Sequence, residues 1–429
     1  MLEKLSEVPW ARLGHAYGSA ADVPDQIRAL RTGDAAALRA LNGNIVHQGT
    51  RYEASAFAVP FLIELLAGPA TPARADLLAL LTRLAIGDDE SWLPGPFPVA
   101  SYREQAAGGE PILRAAPLPS YEDDSVFRYV EALDDRGRES MFAFIELSAY
   151  DAVRAGVPLY RDLLSAADPR LRIGAAHLLA WFPEAAPATI HSLIASAADP
   201  DPAVAATAVV ALGLLSGRPE TATAGLPVPA GPAGATTSGA TAWGTATVAL
   251  PGGGDGPAAV REALRDGREL VRWAAAVASA VLDGPATSRT AVDELLAWTG
   301  RTGCPVPEIP FLGGDLAGLA GLALRQLGDA HAGAAFEALL VRIPAVSGPD
   351  ALPVVGEALR RAFPSGPVPA AARFTDLDRS QQRLLRSLAD SPTTWQWGEH
   401  GIFANFTLMV NAYGLPHSAE AMHSFVDGP

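Results

Sequence analysis

The sequence predicts an all-α protein, an α-solenoid of stacked antiparallel helix pairs broken by one long irregular loop and one low-complexity insertion. Three observations predict it. Hydrophobic residues make up 49% of the chain but aromatics only 7%, and Ala and Leu supply much of the remainder; that mix suits close-packed helices better than sheets, which favour β-branched and aromatic side chains. Apolar stripes at helical spacing recur in segment after segment. One two-helix segment also repeats, its Asp-Pro start at Asp168 returning 33 residues later at Asp201. At 429 residues the chain is too long for one compact core, so two or three domains or an extended array is expected.

Residues 1–86 read as N-terminal helical hairpins, with helices over 22–31, 34–42, 54–66 and 72–86 and Asp22 and Asp34 as caps. From 87 to 124 the period is lost among Pro94, Pro96, Pro98, Gly108, Gly109, Pro111, Pro117 and Pro119, and an irregular Pro/Gly/acidic loop is expected. Residues 125–218 form the central repeats, with helices resuming over 126–133 and 139–153 and then the paired copies. Each Asp caps a helix whose first residue is Pro, where a missing N–H costs nothing. In the copies Leu171 matches Val204, Ala175 matches Ala208 and Leu179 matches Leu212, positions that share one helical face. Such a pair cannot bury its apolar face alone, so pairs must stack.

The run Asp168-Pro169-x-Leu171-Arg172-x-x-Ala175-Ala176-x-Leu178-Leu179 resembles the bacterial HEAT repeat of the phycobilisome-lyase type. The copy at Asp201 has Ala205 where the motif has Arg, and a third, Val271-Arg272-x-x-Ala275-Ala276, lacks the Asp-Pro start. The resemblance covers 157–282 well and the flanks loosely. It implies stacked helix pairs and, for some HEAT-like proteins, enzymes that attach or detach chromophores or excise DNA bases.

Residues 219–256 are nearly all Ala, Gly, Thr, Pro and Ser, a low-complexity linker that cannot support a core. Residues 257–363 return to HEAT-like pairs, and 374–429, patterned differently, suit the terminal cap that an array requires.

The formal net charge is −15, which repels phosphate backbones and anionic membranes and favours a basic protein or peptide partner. No nucleic acid or membrane partner is expected. The N-terminus lacks a secretory pattern and no apolar run is long enough to span a bilayer, so a cytoplasmic protein is expected. The single cysteine, Cys304, reads as an ordinary loop residue.

The chain offers little chemistry. Its eight histidines give no metal-ligand spacing, Gly252-Gly253-Gly254 is not followed by Lys-Ser/Thr, and no nucleophile elbow occurs, so neither metal nor cofactor is expected and no catalytic residue is assigned. The acidic groups at 88–90, 122–124 and 134–135 read as solvated carboxylates, and His177 as a structural histidine.

Two places stand above this background as candidate binding residues. One is the polar turn at 43–50, with Asn44, His47 and Gln48, which resembles a segment of bacterial HEAT-like proteins without implying any chemistry; it reads either as a recognition loop or as a hydrogen-bonded connector. The other is aromatic: Trp92, Phe97 and Tyr102 in the long loop, and Trp397 near the far end, which read either as partner anchors or as a cover for a core edge. The leading functional expectation is a non-enzymatic scaffold, adaptor or inhibitor that binds a basic partner on the concave face of the array. A HEAT-like enzyme (chromophore lyase or, against the charge, DNA glycosylase) and a structural assembly subunit are the alternatives.

Overall fold

A computed structural model of the chain describes residues 2–120, 124–217, 255–303 and 305–428. Among the described residues there are 21 α-helices and only four strands, each of two residues. The expected all-α class holds. The linker up to residue 254 and Cys304 lie outside the described residues. The chain divides into two compact units, Met1–Asp89 with Pro96–Val204, and Glu90–Gly95 with Ala205–Pro429.

The first unit contains α1 (Val23–Ala29), α2 (Ala35–Ile45), α3 (Glu53–Ala67), α4 (Arg74–Ile86), α5 (Val99–Gln105), α6 (Gly109–Ala115), α7 (Ser125–Ala132), α8 (Asp135–Arg154), α9 (Val157–Leu163), α10 (Pro169–Leu179) and α11 (Ala186–Ala197). Its two hairpins pair β1 (Gly14–His15) with β2 (Gly18–Ser19), and β3 (Val46–His47) with β4 (Thr50–Arg51). The long helix α8 starts where the Asp134 side chain accepts the Gly137 N–H at 2.7 Å, and it packs on α3, α4, α5 and α6. Ala58, Leu62, Leu65, Leu78, Leu81, Ala149 and Tyr150 are fully buried in α3, α4 and α8. Helix α4 also meets α10, which packs on α9.

The irregular loop expected over 87–124 is partly helical, since α5 and α6 lie within it. Two of the six prolines that read as breakers stand at helix starts. Pro98 is the residue before α5, and Pro111 lies in the first turn of α6, where a lost N–H leaves no intrahelical bond unmade. Seven residues are also too few for an apolar period to register.

The second unit holds most of α12 (Pro202–Ser216), then α13 (Gly256–Ala263), α14 (Glu269–Asp283), α15 (Arg289–Thr299), α16 (Leu316–Ala323), α17 (Ala332–Arg342), α18 (Ala351–Ala362), α19 (Arg379–Ala389), α20 (Ala404–Asn411) and α21 (Ala419–Asp427). Sequence neighbours α13 and α14, α15 and α16, and α17 and α18 pack in pairs. Across pairs, α14 meets α16, α16 meets α18, and α15 meets α17. Helix α12 presses on α14 through glycine: a Cβ added at Gly213 would lie 2.6 Å from that of Ala278, and one at Gly217 2.7 Å from Val281 Cγ1. The tail shares one apolar cluster with α17 and α18, in which Leu359 and Phe363 join Leu384, Leu388, Trp395, Phe406 and Met422.

The repeat copies are alike in local detail. The Arg172 guanidinium donates to the carbonyls of Ala166 and Ala167 at 2.8 and 3.1 Å, and Arg272 donates to those of Asp266 and Gly267 at 3.0 and 3.1 Å. In the first and third copies the arginine ties the turn before its helix to the helix itself. The third copy keeps its turn without Asp-Pro because Asp266 accepts the Arg268 N–H at 2.8 Å, just as Asp199 accepts the Asp201 N–H at 2.9 Å in the second.

Candidate binding site

In the first unit the two hairpins lie together. Gln48 and Gly49 form the tip of β3–β4 with φ of 49° and 77°, the pair of left-handed residues that a two-residue turn between twisted strands requires. The backbone N–H of Ala16, at the tip of β1–β2, donates to the Asn44 carbonyl at 2.9 Å. Across the tips the Tyr17 hydroxyl and His47 Nδ1 are 3.3 Å apart, and their rings meet edge-on at 5.4 Å.

Beneath the tips lies a polar network centred on Asp22. Its carboxylate accepts from Asn44 Nδ2 at 2.9 Å and from Gln26 Nε2 at 2.8 Å, and His15 Nε2 lies 3.1 Å away. The Tyr17 N–H donates to His15 Nδ1 at 3.1 Å, which leaves the ring proton on Nε2, directed at Asp22. Both nitrogens of His15 are therefore engaged, and the side chain is buried. It holds the hairpin and has no lone pair left to take a proton from a substrate.

Two further groups frame the site. Glu53, the first residue of α3, accepts the Gly14 N–H at 3.2 Å, and burial holds its carboxyl above the usual range against the opposing pull of that bond. The Arg51 guanidinium donates to the Gly49 carbonyl at 2.6 Å and pairs with Glu146 of α8 at 3.1 Å, with both side chains buried. The Tyr102 hydroxyl lies against this pair, and burial together with the Glu146 charge raises its pKa strongly. The second hairpin is thus anchored from below by an ion pair and the first by the Asp22 network. Tyr17, Gln48 and Asp22 are the exposed residues among these.

No family model matches the chain, and no curated protein matches it. Among solved structures it is similar to the crystal structure of an engineered protein at 14% identity, over 95% of this chain and 92% of that chain, with a TM-score of 0.30. A likeness that slight carries no argument about fold or function.

Of the residues singled out in the sequence, Asn44, His47 and Gln48 come together here, Asn44 as a buried connector, His47 half-buried and Gln48 exposed. The aromatic residues do not form one surface. Phe97 is 2% exposed and stacks between Tyr102 and Tyr150, with ring centres at 4.9 and 5.1 Å, so Phe97 and Tyr102 cover a core edge. Trp92 is half-buried and belongs to the second unit. Trp397, also in the second unit, is 49% exposed and rests on Gly348. His177 is buried, edge-on to Trp181 and 3.7 Å from the Asp89 carboxylate. The residues that sequence reasoning missed are His15, Tyr17, Asp22 and Glu53 as members of this site. The one local signal was the polar His15-Ala16-Tyr17-Gly18 stretch between the apolar Leu13 and Ala20.

Proposed function

We propose that the chain is a non-enzymatic protein-binding scaffold and that the paired hairpin tips are part of its recognition surface. The observation that carries the reading is the exposure of Tyr17 and Gln48 on two turns that meet through Tyr17 and His47 and are fixed from beneath. An exposed aromatic ring on an ordered turn loses little side-chain entropy when a partner covers it, and such rings are the common anchors of interfaces. The charge of −15 favours a basic partner and speeds its encounter.

We further propose that the helix pairs of the second unit are HEAT-like repeats stacked as a solenoid. Support comes from the order of packing, in which first helices meet first helices and second meet second, and from the matching bonds of Arg172 and Arg272. Small residues at the crossings, such as Gly213 against Ala278, allow the close approach that stacking needs.

The test is capture of partners by the full chain from its native lysate at low and high salt, alongside Tyr17→Ala. A specific partner released by salt and lost by about tenfold in the variant is expected, in the range of an interface anchor. A chain that captures nothing above background at either salt would overturn the scaffold reading.

A further inference from the structure

We infer that the second unit holds a binding site for a small phosphate-class anion, formed where Arg325 and Arg360 meet on the buried carboxylate of Glu357. Arg325 lies in the turn after α16, and Arg360 and Arg361 in the last turn of α18. Glu357 Oε2 accepts Nε of Arg325 at 3.1 Å and Nε of Arg360 at 2.8 Å, and Oε1 accepts Nη2 of Arg360 at 2.6 Å. Arg361 Nε stands 2.8 Å from Oε1 without the alignment of a hydrogen bond, and it is enclosed. One carboxylate is thus shared among three cations and does not satisfy them all.

The local excess of positive charge is only partly offset. Among the described residues no other carboxylate pairs with these arginines; Asp329 acts on Arg360 through its charge but forms no ion pair with it. Helix C-termini offer about half a charge each. The crowding shows at Arg361: burial chiefly, with the charges of Arg360 and Arg325, lowers its pKa despite Glu357. The free donors are on the other two. The Arg325 side chain is 9% exposed, yet its two terminal nitrogens have no partner among the described residues and are not sealed from solvent. Arg360, 40% exposed, likewise keeps Nη1 unbonded. Both guanidiniums bond the same oxygen through Nε, so they are neighbours, close enough for one anion to take bonds from each.

A tetrahedral oxyanion suits this fork. Its oxygens accept paired N–H bonds from guanidinium, and at about two charges near neutral pH it meets the excess better than a carboxylate does. The chain's charge of −15 opposes anions at a distance, but salt confines that effect to about 8 Å, so the adjacent arginines decide.

Calorimetric titration of the full chain with sodium phosphate, against sodium chloride at matched ionic strength, tests the site. Saturable binding of a single phosphate is expected, weakened about tenfold in Arg360→Met and in Arg325→Met, as loss of a charge-assisted bond implies. Arg383→Met, which removes a surface guanidinium paired with Glu337, should leave the affinity unchanged. Saturation separates this from the general stabilisation that phosphate gives by exclusion from protein surfaces. Circular dichroism checks that each variant folds. Should neither site variant fold, the native chain labelled with ¹⁵N-arginine keeps the test: phosphate should shift a few Nε–H resonances with saturation and leave the rest in place. Phosphate binding no tighter than chloride, equal affinity in Arg360→Met and Arg383→Met, or shifts spread evenly over the arginines overturns the inference.

Discussion

Glu357, wholly enclosed in α18, takes a 2.8 Å ion pair from Arg361 one turn further along the same helix. Arg360 adds a bond at 2.6 Å and Arg325 one at 3.1 Å, so three guanidinium groups converge on one carboxylate. Burial opposes its ionisation, but the Arg360 bond and the charges of Arg325, Arg361 and Arg360 outweigh it and hold the carboxyl below its usual range.

Glu357→Gln should therefore be among the most damaging single changes in the second unit. It removes the charge on which the half-buried Arg360 and the nearly buried Arg325 and Arg361 depend, and breaking a buried pair costs about 3–5 kcal/mol. Urea denaturation measures the loss. The same linkage predicts acid sensitivity: with the folded pKa depressed, the stabilisation is complete above the unfolded value and fades as pH falls through the folded one.

Asp350 should behave in the opposite way. Burial raises its pKa, the neighbouring charge of Asp315 adds to the rise, and Arg342 opposes it. When a carboxyl binds its proton more tightly folded than unfolded, the penalty is absent below the unfolded value and complete above the folded one. Asp350→Asn is expected to raise the melting temperature at pH 7 by about 1–3 °C, a modest figure for a half-exposed group, and to leave it unchanged near pH 3. Equal shifts at both pH values would contradict this account.

At the hairpins, Asn44→Leu should cost about 1–3 kcal/mol, because it withdraws the amide from both Asp22 and the Gln26 carbonyl oxygen and sets an apolar group among them. Chemical denaturation reads the loss, and hydrogen exchange should show the 14–19 turn opening more readily.

In the repeats, Arg172→Met and Arg272→Met should each cost about 1.5–3 kcal/mol by freeing two turn carbonyls. Restoring the motif in the second copy should do harm. Ala205 is fully buried, so Ala205→Arg would enclose a charge with no space, and greater destabilisation than from either deletion is expected by calorimetry.

Most of the helices were legible because their apolar stripes run for ten residues or more, as in α3, α8 and α14. The strands were not, since a two-residue strand has no period to read, and only the left-handed pair at 48 and 49 marks the second hairpin. The candidate site was half legible. Asn44, His47 and Gln48 share one short stretch, whereas Asp22 and His15 reach them only through tertiary folding. Phe97 and Tyr102 illustrate the converse: whether an aromatic faces solvent is decided by a distant element, here α8 with Tyr150 and Glu146.

The seam between α12 and α14 bears on how this chain tolerates change in length. Gly213 and Gly217 lock one side of the 218–254 segment onto the helix that closely follows its other side. Its two ends thus belong to one packed layer whatever lies between them. The seam itself is made by residues outside that stretch, so a longer or shorter sequence between 218 and 254 leaves the glycine contacts of α12 on α14 unchanged.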